Sequence, residues 1–526
     1  MTLADRPNIV LLLVDDMGFS DVGCFGGEID TPHLDRLGYN GVRCTQFYNA
    51  ARCCPTRASM LTGLHPHQAG VGHMVGWGAS EAYRGRLNDR CITIAEALRS
   101  SGYATYMSGK WHVGGAYDMQ DPGSWRRVAG DPRHPTPIQR GFDRHYGILT
   151  GACSYWNPAT LVDNDRFCDP PGEGYYLTDA LTDAAMGMID HAAEGDRPFF
   201  LYWAPTAPHW PLHAWPKDID KYRGRYDAGW DDLRAARYHR QRELGIVDNR
   251  WPLSPRDEQS HDWSKAEDPA WESLRMAVYA AQMDNLDQNV GRVLDRLEAH
   301  GMFENTLFIF LSDNGACAEF LREDAETHEW PGNYALPTAD GRDVVRVGNR
   351  LDLEPGPDGT FMSYDLPWAN ASNTPFRKFK CWTHEGGIAT PLLAHWPAAM
   401  PGGAVLDGVG HVIDLMPTIL HAARATYPRQ HRGRDILPPE GRSLLDAWTR
   451  GETWRRQDPL YWSHQSCKAV RDGEWKLVQG EGPDAAWELY DMAADRTELH
   501  DLAADRPGVA DRLSKRWQHW AERVGV

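Results

Sequence analysis

The chain has 526 residues, of which 42% are hydrophobic and 24% charged, the proportions of a folded globular protein and not of a disordered one. Its 55 basic and 73 acidic side chains leave a formal net charge of −18, which argues against a bulk nucleic-acid binder, since that function needs a broad basic face. A small anionic substrate stays open, because a local pocket of Lys, Arg, His and metal can override the global field. The N-terminal stretch Met1 to Pro7 has no basic region followed by a long apolar one, so no signal peptide is expected. No run approaches the ~20 apolar residues that span a bilayer. The expectation is a cytoplasmic protein without membrane or nucleic-acid partners.

In chain order, Asn8 to Val14 is short, apolar on both faces and closed by Asp15-Asp16, the pattern of a strand buried in a parallel sheet. Ile92 to Arg99 and Thr178 to Ala192 read as helices, and Phe199 to Ala204 as a strand after Pro198. Residues 272–299 carry Met276, Tyr279, Ala280, Met283, Leu286, Val290, Val293 and Leu297 at helical spacing, with Gly301 at the stop. Thr306 to Leu311 repeats the first strand's grammar and ends in Ser312-Asp313-Asn314-Gly315. Segments 114–173 and 317–371 lack periodicity and are expected to be long functional loops. Ala469 to Val478, with Asp472-Gly473 at its centre, predicts a hairpin, Trp487 to Asp491 a further strand, and Val509 to Trp520 a helix. The alternation predicts an α/β protein: a large doubly wound mixed sheet flanked by helices, with a small C-terminal antiparallel sheet subdomain. The expected division is residues 1–440 and 441–526, joined through the Pro-, Arg- and Gly-rich stretch 426–440.

Ligands of open α/β sheets bind at the carboxyl ends of strands. If the strands ending at Asp15-Asp16 and Asp313-Asn314 are neighbours, four oxygen-bearing side chains converge, and their charges demand a hard cation. Each pair alone also reads as a turn or helix cap. In Arg52-Cys53-Cys54-Pro55-Thr56-Arg57, Pro55 suits a first helical turn, which puts Cys53 at a helix N-terminus between two arginines. That environment favours a thiolate and attracts anions, although packing of a buried cysteine pair explains it equally. The ten cysteines form no CxxC pair, so a zinc ribbon is not expected. Lys110 and His112 fall on one side of an extended segment. His209 follows the strand at 199–204, and Lys380 stands in Phe376-Arg377-Lys378-Phe379-Lys380 ahead of Glu385-Gly386-Gly387. Singly each is a solvated or structural residue; together with an acidic metal site they form an anion pocket with two proton-transfer imidazoles. His65, His67 and His73 sit among Pro and Gly and read as loop residues, not a metal triad. Trp77, Trp156, Trp210 and Trp330 are candidates for the substrate mouth, with packing as the plainer explanation.

These residues resemble the type I sulfatases of the alkaline phosphatase superfamily. Cys53-Cys54-Pro55-Thr56-Arg57 fits the signature Cys-x-Pro-x-Arg, with Thr56 where Ser is common, and Leu61-Thr62-Gly63 continues it. Asn8 to Asp16, Gly109 to Gly114, His209, Ser312 to Gly315 and Glu385-Gly386-Gly387 occur in family order, and the likeness extends through Trp475-Lys476-Leu477 and Trp487 to Asp491. Within the family, the chain is most similar to the cytosolic bacterial arylsulfatases.

The resemblance implies that a separate maturation enzyme oxidises Cys53 to formylglycine. It implies that one oxygen of the hydrated aldehyde, polarised by Asp313, attacks the sulfur of a sulfate monoester while His209 and Lys380 assist the leaving oxygen. His112 then deprotonates the second hydroxyl and sulfate is eliminated. Arg57 and Lys110 would steady the nucleophile and the transferring group. Asp15, Asp16, Asp313, Asn314 and the modified Cys53 would bind Ca²⁺, ahead of Mg²⁺ or Mn²⁺. The activity implied is that of an arylsulfatase-like sulfuric ester hydrolase acting on a small-molecule or glycan sulfate ester. Two alternatives stand beside it: a phosphonate monoester or phosphodiester hydrolase, and a non-catalytic anion-binding protein on the same fold.

Overall fold

A computed structural model describes residues 6–526 apart from 77, 79, 119–120, 122, 124–125, 127–129, 323–333, 337, 339–340, 342–344 and 483; Trp77 and Trp330 lie outside the described residues. The first strand, β1 (Asn8–Val14), sends Val10, Leu12 and Val14 into one apolar cluster and Ile9, Leu11 and Leu13 into another. Period-two alternation within an all-apolar run therefore requires cover on both faces. The helices Leu177–Ala193 and Pro269–Ala299 cover one face, and Cys53–Thr62, Ile94–Ser100 and Leu415–Ala422 the other. Each fully buried Leu or Ile in such a strand contributes about 1.5–3 kcal/mol.

The remaining strands are β2 (Val42–Tyr48), β3 (Ala104–Gly109), β4 (Arg144–Ile148), β5 (Leu161–Asp163), β6 (Arg166–Phe167), β7 (Phe199–Ala204), β8 (Thr306–Ser312), β9 (Arg346–Val347), β10 (Thr360–Phe361), β11 (Ala389–His395), β12 (Ala404–Leu406), β13 (Gly410–His411), β14 (Gln430–His431), β15 (Arg434–Asp435), β16 (Leu460–His464), β17 (Cys467–Asp472), β18 (Trp475–Gln479) and β19 (Trp487–Asp491). The main sheet runs β12-β2-β11-β8-β1-β7-β3-β4-β5-β6, with β13 also paired to β2. Strands β8, β1, β7, β3 and β4 are parallel. β11 is antiparallel to both β8 and β2, so β2 points the same way as the parallel set. The segments that follow β1, β2, β3, β7 and β8, and the one that precedes β11, therefore share one edge. Strand β1 pairs with β8 from Asn8↔Thr306 to Val14↔Ser312, so the next residues, Asp15 and Asp313, leave the sheet side by side.

Strands β16–β19 form a four-stranded antiparallel sheet covered by the helix Pro507–Val524. One expectation needs correction. The aperiodic stretch 114–173 supplies β4, β5 and β6 to the main sheet, and 317–371 holds β9, β10 and the helix Asp365–Ser372. These strands have two to five residues and mixed burial, too short to show a period. Within the stretch 426–440, β14 and β15 pair.

Candidate active site

The helix Cys53–Thr62 starts where expected, with Arg52 extended at its N-cap and Pro55 in the first turn. Cys53 Sγ faces His112 Nδ1 at 3.4 Å, and both residues are buried. A hydrogen bond from the Cys54 thiol, and then Lys110 and His112, hold the Cys53 thiol well below its ordinary range against the opposing cost of burial. Burial pushes the His112 imidazole down to about 4, so the ring is neutral near pH 7. Gly151 flanks that ring closely: a Cβ there would lie 2.3 Å from His112 Cε1.

Asp15, Asp16, Asp313 and Asn314 meet as their strand register requires, all of them buried. Asn314 Nδ2 donates to Asp16 Oδ1 at 2.6 Å, and the Asp16 amide donates to Asp313 Oδ1 at 3.3 Å. Gly315 allows the loop its approach, because a Cβ would stand 1.8 Å from the Gly386 carbonyl oxygen. Each carboxylate has one close cation. Lys110 Nζ lies 2.6 Å from Asp15 Oδ2, Arg57 Nη2 2.7 Å from Asp313 Oδ2, and Lys380 Nζ 2.9 Å from Asp16 Oδ2. Burial raises the Asp15 carboxyl despite Lys110 and Arg57; in Asp16 burial is outweighed by His209 and Lys380, which hold that carboxyl at about 2.

The donor set fits a hard cation. Asp15 Oδ1 and Asn314 Oδ1 are buried without a hydrogen-bond partner among the described residues, which interiors rarely tolerate. Both are oxygens, the ligand type that Ca²⁺ and Mg²⁺ select. With the three carboxylates already matched one for one, an added dication would leave two surplus positive charges, a setting for an anion.

His209 joins this group: Asp15, Asp16 and His209 present ligand atoms within 4.8 Å of one another. His209 Nδ1 is 2.7 Å from the Trp210 carbonyl oxygen, an acceptor, so the ring proton sits on Nδ1 and Nε2 faces Asp16 Oδ2 at 3.3 Å and Lys380 Nζ at 3.5 Å. Burial keeps this imidazole near pKa 4.

The structure thus brings together all ten expected site residues, Cys53, Arg57, Lys110, His112, His209, Lys380, Asp15, Asp16, Asp313 and Asn314. The segment is not extended as expected: His112 has a left-handed φ of 53°, and from there Lys110 reaches Asp15 while His112 reaches Cys53. Lys378 lies elsewhere, 3.0 Å from Asp257. His65, His67 and His73 pack around aromatic rings; among the described residues they do not join a group of potential metal ligands. Trp156 packs against Trp215 and Tyr176, whereas Trp210 adjoins the site. Two neighbours had no signal of their own. Tyr202 receives Arg57 Nη1 at 3.3 Å on its hydroxyl, and Glu319, in a segment without periodicity, receives Arg52 Nη2 on Oε1 at 3.2 Å.

Comparison with known proteins gives a consistent result. A family model described as Sulfatase matches residues 7–425, and one described as N-sulphoglucosamine sulphohydrolase, C-terminal, matches 376–521. An uncharacterized sulfatase of Schizosaccharomyces pombe is 32% identical over 551 residues, covering 99% of this chain and 94% of that protein. An arylsulfatase of Klebsiella aerogenes is 31% identical over 459 residues, covering 84% and 91%. The crystal structure of Ps i-CgsB in complex with k-i-k-neocarrahexaose superposes with a TM-score of 0.68 at 23% identity, covering 98% and 93%, a likeness of fold.

Proposed function

We propose how this chain works from one premise: it belongs to the sulfatase family and is a sulfuric ester hydrolase. In this reading Cys53 becomes formylglycine through a separate maturation enzyme, and Asp15, Asp16, Asp313 and Asn314 hold Ca²⁺ beside it. Matured and loaded, the centre would supply a hydrated aldehyde oxygen as nucleophile and a dication that offsets charge on the sulfuryl oxygens.

The protein's own groups divide the remaining work. Lys110 and Arg57 are fixed cations, preorganised by Asp15 and Asp313, that meet negative charge as it spreads over the transferring group. His112 is neutral, faces side chain 53 through Nδ1 and accepts its proton. Lys380 carries a proton at Nζ and delivers it toward the leaving oxygen. His209 has its own proton committed to the Trp210 carbonyl, so its Nε2 orients Lys380 and does not itself donate. The substrate class in this reading is a small aryl or sugar sulfate monoester.

The observation that carries the reading is the contact of Cys53 with His112 at 3.4 Å, in a buried pocket whose carboxylates are already balanced by Lys110, Arg57 and Lys380. A monoanionic sulfate ester suits one dication with Lys and Arg, which favours it over a dianionic phosphate monoester; a phosphonate monoester carries the same single charge, so the assay must separate the two. The test is to co-express the chain with a formylglycine-generating enzyme and compare 4-nitrophenyl sulfate with 4-nitrophenyl phenylphosphonate. Turnover dominated by the sulfate is expected; preference for the phosphonate by orders of magnitude would overturn the assignment.

A further inference from the structure

Lys380 Nζ has four polar neighbours among the described residues: Asp16 Oδ2 at 2.9 Å, His209 Nε2 at 3.5 Å, Cys317 Sγ at 3.6 Å and Glu319 Oε2 at 3.5 Å. The Asp16 and His209 side chains are 2% and 5% exposed, whereas that of Glu319 is 25% exposed. Cys317 is buried as well. Glu319 is therefore the one member of this set that meets solvent, at the lysine that faces the departing oxygen.

Its two carboxylate oxygens are unequally used. Oε2 accepts from Trp210 Nε1 at 2.8 Å and from Cys317 Sγ at 3.2 Å, in addition to Lys380. Among the described residues Oε1 accepts only from Arg52 Nη2, at 3.2 Å, and a carboxylate oxygen has room for a second donor. Trp210, Lys380 and Arg52 hold the group in place, and Phe320, the next residue, is 54% exposed. A pocket built for anions has no inherent means of refusing a substrate with a second negative charge near the bond to be cleaved. A fixed carboxylate on the leaving-group side supplies one, since a like charge brought against it is repelled while a hydroxyl or ammonium gains a hydrogen bond.

We propose that Glu319 is a specificity-determining residue: its Oε1 accepts a hydrogen bond from a hydroxyl or ammonium on the leaving group and turns away leaving groups bearing a carboxylate or a second sulfate. The inference rests on the sulfate-ester reading above and adds to it which alcohol is accepted. Burial raises the Glu319 carboxyl, but Lys380 and Arg52 hold it below its ordinary value, in keeping with a permanent negative charge.

The test uses the matured full chain, wild type and Glu319→Gln, with phenyl sulfates carrying a meta hydroxymethyl, aminomethyl or carboxylate group, and reads released sulfate. The wild type is expected to favour the hydroxymethyl and aminomethyl esters over the carboxylate by about tenfold or more in kcat/KM. In Glu319→Gln that ratio should collapse, mainly through a lower KM for the carboxylate ester. An equal ratio in the two proteins overturns the proposal, as does a wild type without preference, which decides the matter even if the variant fails to fold. A wild type that hydrolyses none of the three esters overturns the aryl part of the substrate reading, and this proposal with it.

Discussion

Two clusters of buried charge sit close together in this molecule and are built to opposite ends. One joins the C-terminal sheet to the main one. Glu385 Oε1 accepts Lys476 Nζ at 2.9 Å, and Oε2 accepts Arg496 Nε and the Tyr48 hydroxyl, each at 2.9 Å. Glu498 Oε1 also lies 2.7 Å from Lys476, and Arg471 from β17 reaches the Tyr48 hydroxyl. Both oxygens of Glu385 are taken, and its carboxyl is held at about 2 because Lys476 and then Arg496 outweigh burial. The other cluster is the candidate active site, where Asp15 keeps one oxygen for Lys110 and leaves the other bare, and where Asn314 Oδ1 and His112 Nε2 are also unpartnered. Burying charge is costly in both places. The first cluster closes both oxygens of Glu385 and serves as a fixed joint, with only Glu498 Oε1 and Arg496 Nη2 lacking a hydrogen bond among the described residues; the second leaves oxygens of two candidate ligands open for a cation, beside a nucleophile and an anion.

Breaking the closed cluster should give the larger loss of stability. Lys476→Met leaves Glu385 and Glu498 as buried carboxylates short of a partner and should destabilise the protein by about 3–5 kcal/mol in denaturant unfolding. A loss under about 1 kcal/mol would show that the joint is not closed in the way described.

The open cluster should respond to ligand instead. Addition of Ca²⁺ at about a hundred times its Kd should stabilise the wild type by about 2.7 kcal/mol, seen as a rise in Tm, and Asp313→Asn should abolish that rise. Calcium-independent melting of the wild type would place the cation elsewhere or remove it from the account. The same addition should leave the effect of Lys476→Met unchanged, since that joint has no vacant oxygen on Glu385 to offer.

What the sequence disclosed follows the same division. The acid pairs after β1 and β8 were legible because a fully apolar strand ending in carboxylates is an unusual pattern, and in-register parallel pairing then forces their convergence. The Cys53 helix start was legible from Pro55 and the flanking arginines. Strand β2 was not, because it buries Arg43, Thr45 and Gln46 within a run that shows no apolar period. Glu319 was invisible for another reason: its meaning comes from Arg52, Trp210 and Lys380, three distant positions that only the folded chain assembles. The Glu385 joint was half visible, in that the residue was noted within its glycine motif while its partners Lys476 and Arg496 carry no local mark of burial.

The most direct test of the central claim is sulfate release from 4-nitrophenyl sulfate by the matured wild type and by Cys53→Ala, with Tm measured on both. The account predicts a fall in kcat/KM on the order of 10³-fold or more at an unchanged Tm, as expected when a nucleophile is removed from an intact site. Turnover in Cys53→Ala within about tenfold of the wild type would contradict it.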